Sequence, residues 1–290
     1  MSRPYLSVIA IFTLGISATI LTYYVQVVQK SEDRLITVKT IKKSASITNI
    51  SQLNPEYKVD SNSPINIEQK TINKVSFVFI TGGKIITIHV DKPMQVDKIS
   101  RQNNLVAGID GTFFVMSDSE SNRVIGPVLS SKNNHKFIAG ERQDAVRSKG
   151  RPLALISVDR VKFLPFNPEV HNTLKGITSE LTNATDAFVC GGWLVKKGEP
   201  QTLASFGSLY KVNEPRYRAF WGINYQGKPT LGISKDNIGA VDLGDLLAKE
   251  GWKEAVMLDS GQSTSLAYKG KSLVSYTPRP VPHVVGLVEQ

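Results

Sequence analysis

The sequence predicts an α+β protein: a single domain of mainly antiparallel sheet with a few helices, preceded by an N-terminal transmembrane helix. Three observations carry that prediction. Short apolar runs bounded by Gly- and Asp-containing turns recur from residue 75 onward, the pattern of core strands. Only one segment keeps a clear helical period. An uncharged apolar stretch occupies the extreme N-terminus.

That stretch, residues 6–28, is long enough to cross a bilayer as a helix, with Tyr23 and Tyr24 near one interface. Arg3 precedes it, and Lys30, Glu32, Asp33 and Arg34 follow. The apolar run continues through Tyr23-Tyr24-Val25 with no small-x-small cleavage pattern. Residues 1–30 therefore read as an uncleaved signal-anchor that leaves the bulk of the chain outside the cytoplasm, periplasmic or at the cell surface. Residues 31–70 are rich in Ser, Asn, Thr and Lys, include Pro55 and Pro64, and read as a polar linker. The domain is expected over 71–290.

Within it, residues 75–80 and 84–90 read as strands joined in a hairpin by Thr81-Gly82-Gly83. The run 105–114 breaks at Asp110-Gly111. Further strands are expected over 124–130, 152–158 and 188–195, the last containing Gly191-Gly192, where glycine marks a bulge or a close backbone approach. Residues 219–225 and 229–234 flank Gln226-Gly227-Lys228 as a second hairpin. A helix is expected over 242–250, with Asp242 as N-cap, Leu243, Leu246 and Leu247 on one face, and Gly251 to end it. Residues 255–258 and 265–268 form the last strand pair. On its own, the turn between them is a hairpin turn that Asp259 caps.

An apolar content of 41% and a charged content of 21% exclude a disordered chain. The net charge of +10 invites a nucleic-acid reading, but no zinc spacing, RNA-binding aromatic signature or helix-turn-helix accompanies it. Anionic envelope polymers or lipid headgroups fit that charge instead. The lone Cys190 excludes an intrachain disulfide and a multi-thiolate metal site, and reads as a small core residue. His89, His135, His171 and His283 have no metal-ligand spacing. No cofactor is expected, and the carboxylates leave room for a divalent cation.

Three stretches place charge at strand ends beside glycines: Asp110 in GIDGTFF, Arg216 and Arg218 in EPRYRAFWGIN, and Asp259 in LDSGQSTS. Two carboxyl groups and an arginine suit hydrolysis of a glycosidic bond next to an anionic group. One carboxylic acid protonates a leaving group while the other supports a water or attacks, and the guanidinium fork matches phosphate oxygens. Taken singly, each has a plainer reading as a salt bridge or turn cap. Arg151, before Pro152, reads first as a surface arginine and second as a further phosphate contact.

The order of motifs resembles the phosphodiester glycosidase family, which includes the mannose-6-phosphate uncovering enzyme and bacterial exopolysaccharide biosynthesis proteins. The family pattern runs Asn-Gly-Gly-Phe-Phe, a Gly-Gly segment before a Leu-Val-x-x-Gly hairpin, Arg-Thr-Ala-x-Gly, a helix, and Leu-Asp-Gly-Gly-x-Ser-Thr. Here it is matched by Asp110-Gly111-Thr112-Phe113-Phe114, by Gly191-Gly192 through Gly198, by Arg218-Ala219-Phe220-Trp221-Gly222, and by Leu258-Asp259-Ser260-Gly261-Gln262-Ser263-Thr264. The closing Arg279-Pro280-Val281-Pro282 is similar to the family's C-terminal strand.

The resemblance implies an envelope-anchored hydrolase that cleaves a sugar from a sugar-1-phosphodiester in envelope or exopolysaccharide material. Its partners would be a carbohydrate or sugar-phosphate polymer and the membrane, with no nucleic acid. Asp259 would be the leading catalytic carboxylate, Asp110 the second acidic group and Arg218 the phosphate clamp. Gly111, Thr112, Gly191, Gly192, Arg216, Ser260, Gly261, Ser263 and Thr264 would contact substrate. Asp110 stands where the pattern has Asn, and Thr112 and Ser260 where it has Gly. An added carboxylate repels phosphate unless it is protonated or paired, and a serine strains a backbone that needs positive φ. Those departures favour the alternative, a non-catalytic polysaccharide-binding or assembly protein.

Overall fold

The computed structural model describes residues 54–115, 122–133, 136–207, 209 and 211–289. The expected signal-anchor and most of the expected linker lie outside them. No helix among the described residues is long and apolar enough to cross a membrane.

Three sheets, antiparallel throughout, make the fold. The first runs Glu56–Lys58, Arg160–Pro165, Pro152–Ile156, Asp186–Val189, Val128–Ser130, Lys136–Ile138. The second runs Glu199–Pro200, Gly192–Lys196, Glu254–Met257, Ala219–Ile223, Pro229–Ser234, Val75–Thr81, Asn66–Ile72. The third runs Lys271–Ser272, Leu266–Tyr268, Ala107–Asp110, Val281–Val288, Lys84–Met94.

All three sheets turn one face to a common core, in which Val78, Ile80, Ile85, Ile109, Phe188, Trp221 and Leu287 meet. Because side chains alternate along a strand, the intervening residues point outward and need separate cover. Phe77, Phe79, Phe220 and Met257 on the outer face of the second sheet pack against Leu243 and Leu247 of helix Ala240–Lys249. Helices Arg142–Arg147 and Leu174–Glu180 cover the first sheet, and Val96–Gln102 covers the third. Strands buried on both faces read as continuous apolar runs, which is why the sequence shows so little strict alternation.

Two expected hairpins are instead crossings between sheets. Val75–Thr81 belongs to the second sheet and Lys84–Met94 to the third. Gly82 and Gly83, both at positive φ, turn the chain from one to the other and donate to the carbonyls of Pro229 and Ser63. The hairpin that does form is Asn66–Ile72 with Val75–Thr81. Its turn, Asn73-Lys74, has φ of 48° and 68°, the left-handed pair that two-residue hairpin turns use. Glu254–Met257 and Leu266–Tyr268 likewise lie in different sheets, so Asp259 sits in a crossing. The expected strand 188–195 divides in the same way, Asp186–Val189 from Gly192–Lys196, at Cys190-Gly191. Cys190 is fully buried there, and burial pushes its thiol up.

Among the described residues, Glu56–Lys58 and Asn66–Ile72, which fall largely in the expected linker, are paired into the first and second sheets. Asn66–Ile72 is an exposed edge strand, so its composition is that of a tether although its backbone is paired. The hairpin around Gly227 forms as expected; the Asn224 side chain accepts from the amides of Gln226 and Lys228. The helix starts two residues before its expected N-cap. Gly239 holds that position, Asp242 lies in the first turn, and Asn213 accepts the Val241 amide.

One buried carboxylate ties the first sheet to the third. Asp186 Oδ1 accepts from Thr87 N (2.7 Å), Thr87 Oγ1 (2.8 Å), Ser131 N (3.0 Å) and Ser131 Oγ (3.0 Å). Asp186→Ala orphans these donors in the interior and is expected to cost about 3 kcal/mol or more, read from the denaturant midpoint at unchanged slope.

Candidate active site

The crossings converge on one place. Asp110 closes strand Ala107–Asp110; its amide donates to Ser265 O (3.2 Å) and its Oδ1 accepts from Ser265 N (2.8 Å). The Asp259 amide donates to Gly111 O (3.0 Å), and the Gly191 amide to Met257 O (2.8 Å). Thr112 donates through its amide to His283 Nδ1 (3.1 Å) and through its hydroxyl to Val189 O (2.6 Å). All three sheets thus contribute to the junction. Gly111 is required there, because a Cβ would lie 2.1 Å from His283 Nδ1. Gly191 and Gly192 leave room for Phe113 and Phe206, neighbours from the protein itself.

Asp110 is fully buried, and its Oδ2 has no hydrogen-bond partner among the described residues. Burial first, and then the field of Asp259, push its pKa well above the ordinary carboxylate value, against the pull of the Ser265 amide. The favoured form is the neutral acid, which offers one O–H donor and one carbonyl acceptor, as an amide does. Asp110 therefore presents the hydrogen-bonding character of the Asn in the family pattern without an added charge. Asp259 is only partly buried. Burial raises it too, opposed by the Ser263 hydroxyl, the Ser260 amide (2.9 Å to Oδ1) and the Arg279 cation. The expected strain at Ser260 is absent: its φ of −140° is extended, and Gly261 carries the positive φ of 72°.

Beside the junction opens a cleft of about 650 Å³ lined by Arg216, Tyr217, Gly261, Gln262, Tyr276 and Arg279, among others. Tyr217 and Tyr276 stack at 5.2 Å. Tyr276 Oη donates to Thr264 O (2.7 Å), and Thr264 Oγ1 to Tyr217 O (3.0 Å). Burial and then Asp110's field raise the Tyr276 phenol, which puts the cleft wall within electrostatic reach of that carboxyl. Arg279 donates to Gln262 Oε1 (2.8 Å), and Arg216 pairs with Glu214 at 3.0 Å.

Arg218 is buried and does not line this cleft. Its Nε donates to Ile238 O (2.9 Å) and its Nη2 to Val212 O and Glu214 O (both 2.6 Å), with Nη1 against Met257 Sδ (3.5 Å). Burial, together with Arg216, lowers its pKa to about 10. The guanidinium braces the segment that presents Arg216 and Tyr217, and leaves the cations of the cleft to Arg216 and Arg279.

Of the residues expected at the site, Asp110, Gly111, Thr112, Asp259, Ser260, Gly261, Ser263 and Thr264 come together, with Arg216 on the cleft and Arg218 and Gly191 behind it. Gly192 faces Phe206. Sequence reasoning missed Tyr217, Tyr276, Arg279 and His283. Arg279 stood in the C-terminal motif, and His283 was a polar residue in an apolar strand, buried and neutral with Phe188 at 5.0 Å. It also missed Glu254, a buried carboxyl that accepts from Tyr57 Oη and Lys197 N (both 3.0 Å). Among the described residues no group of three His, Cys, Asp or Glu side chains could hold a metal.

The fold is thus an antiparallel α+β frame with two carboxyl groups at a strand-end junction. The model of the NAGPA family, phosphodiester glycosidase, matches residues 103–288, and the chain belongs to that family. The fold is similar to the catalytic domain of zebrafish N-acetylglucosamine-1-phosphodiester alpha-N-acetylglucosaminidase, auto-inhibited by its pro-peptide. The TM-score is 0.61 at 14% identity, over 84% of this chain and 92% of that one. A hypothetical protein from Synechocystis matches with TM-score 0.53 and 13% identity, over 77% of this chain and 61% of its own. At these identities the likeness is one of fold. A search of curated proteins finds no match.

Two predictions follow from the site's electrostatics and bracing. Burial raises Glu254 from 4.5 to about 7, so its contribution to stability is complete below pH 4.5 and is lost as pH rises through 7. Glu254→Gln is expected to match the parent near pH 4 and to exceed it by about 3 kcal/mol at pH 8, in denaturant titrations across that range. Arg218→Met leaves the Val212 and Glu214 carbonyls without their donor and Ile238 O with only the Arg216 amide, and is expected to destabilise by about 3 kcal/mol, with Arg218→Lys recovering only part, in the same measurement.

Proposed function

We propose that the protein is a membrane-anchored, extracytoplasmic hydrolase that cleaves a sugar from a sugar-1-phosphodiester in envelope or exopolysaccharide material. The observation that carries this reading is the pairing of Asp110 and Asp259 at the family's motif positions, beside a cleft that holds two arginines and two tyrosines. Residues 1–30 are the proposed anchor, and the basic charge draws in an anionic polymer.

In this mechanism Asp259 is the working carboxylate: it either takes the proton of a water that attacks the anomeric carbon, or attacks that carbon itself to give an ester that a water then hydrolyses, freeing the carboxylate. The bond between that carbon and the phosphate oxygen breaks, and the electron pair leaves with the phosphate. A phosphomonoester is a stable anion, so the leaving group needs charge stabilisation more than a proton, and Arg216 and Arg279 supply it. Tyr217 and Tyr276 give the sugar an amphipathic wall. Asp110, kept neutral, holds the Ser265 strand end and adds no charge against the incoming phosphate. Arg218 is a positioning residue.

The alternative is a polysaccharide-binding or assembly protein on the same fold, which the cleft favours in that neither Asp110 nor Asp259 is among the residues that line it. Turnover of a chromogenic aryl sugar-1-phosphodiester separates the two. Asp259→Asn is expected to lower kcat by about 10²- to 10⁴-fold, whereas Asp110→Asn retains activity. Tight polymer binding with no turnover of any such diester by the parent protein would overturn the hydrolase reading.

A further inference from the structure

We propose a second binding site, for a tetrahedral phosphoryl group, in a pocket formed where the first and second sheets meet. Its volume is about 350 Å³, and it shares no lining residue with the tyrosine and arginine cleft. Lys149, Arg151, Lys196, Gln201 and Ser205 line it together with small and apolar residues. Three cations and no acidic side chain therefore face one concave space.

Arg151 is the centre of the argument. It stands just before strand Pro152–Ile156, half-buried, with its guanidinium over the Phe113 ring at 5.9 Å. No carboxylate among the described residues pairs with it, and burial lowers its pKa with no opposing acid. A desolvated guanidinium whose planar fork has no acceptor among the described residues suits two oxygens of one phosphoryl group. Lys196 sits half-buried with its ammonium 4.2 Å above the Trp193 ring. The acid across the sheet from it, Glu254, is hydrogen-bonded by Tyr57 and the Lys197 amide and feels Lys196 only through its field. Lys149 lies 3.6 Å from Glu169, but both are largely exposed, so solvent screens that pair.

The neutral donors are also weakly engaged. Ser205 Oγ reaches Trp193 O at 3.3 Å, and Gln201 Nε2 donates to the adjacent carbonyl of Glu199 at 3.0 Å. Both can turn to a bound oxyanion at little cost. The aromatic rings that line the pocket, Trp193 and Phe206, are buried at 4% and 1% exposure and offer no open face for stacking. That argues against a nucleotide base as part of the ligand. The volume suits a free phosphate or a phosphorylated monosaccharide, at the small end of ligand pockets. The site stands independently of the hydrolase reading.

Calorimetric titration of the full chain with inorganic phosphate, glucose 1-phosphate and glucose tests it. Both phosphates are expected to bind and glucose is not. Arg151→Gln and Lys196→Gln should each weaken phosphate binding at least tenfold, with melting temperatures near that of the parent. Arg151→Lys should keep part of the affinity, and Lys98→Gln, at an exposed lysine that lines neither pocket, should leave it unchanged. A tenfold preference for glucose 1-phosphate assigns the site to a sugar ester, and equal affinities assign it to free phosphate. Either result upholds a phosphoryl site. Wild-type affinity in Arg151→Gln and Lys196→Gln overturns it, as does no phosphate binding by the parent up to about 10 mM.

Discussion

Three sheets that share one core must pass the chain from one to another, and every crossing strands peptide groups that no ladder completes. In a buried junction those groups need partners, because an unpaired amide or carbonyl costs about as much as a lost hydrogen bond. The protein meets the constraint by knotting the crossings into each other. Gly111 accepts from Asp259, Met257 accepts from Gly191, Val189 accepts from Thr112, and Asp110 exchanges bonds with Ser265. The candidate active site is what this constraint leaves where the strands end. Its carboxyl groups stand on a rigid frame because the same residues close the fold.

The sequence made the strands legible because burial on both faces writes itself as apolar runs. It did not make their partners legible. A Gly- or Asp-centred break looks the same whether the chain turns back on its neighbour, as at Gly227, or leaves for another sheet, as at Gly82-Gly83 and Asp259. Local turn chemistry is satisfied in both cases. Asn66–Ile72 was hidden for the opposite reason, since an edge strand with both faces in water carries no apolar signal. The site was legible where motif order spoke, at Asp110, Asp259 and the residues after them. Arg218 shows where it stopped: residue type fixes a guanidinium's chemistry, and only the tertiary path of residues 212–217 decides whether backbone or ligand receives its hydrogen bonds.

Buried titratable groups of opposite tendency meet within this frame. Asp110, Asp259 and Glu254 are pushed towards their protonated forms, and His89, His171 and His283 towards their neutral ones. Acid therefore relieves the carboxyls while it penalises the histidines, whose share of stability is lost as pH falls below the ordinary imidazole value of 6.5. The two sets pull stability in opposite directions as the medium turns acid. The replacement of Asn by Asp at 110 is chemically quiet only in this setting, because full burial withholds the charge that the substitution nominally adds.

Cys190 lies in the crossing between the first and second sheets, with no accessible surface and a thiol held in its unreactive form. It is the chain's single sulfhydryl. A thiol reagent can reach it only when those two sheets part, so the rate at which the protein takes up label is a clock for the opening of its own centre. The chain carries, without any engineered probe, a one-atom record of how often its core comes undone.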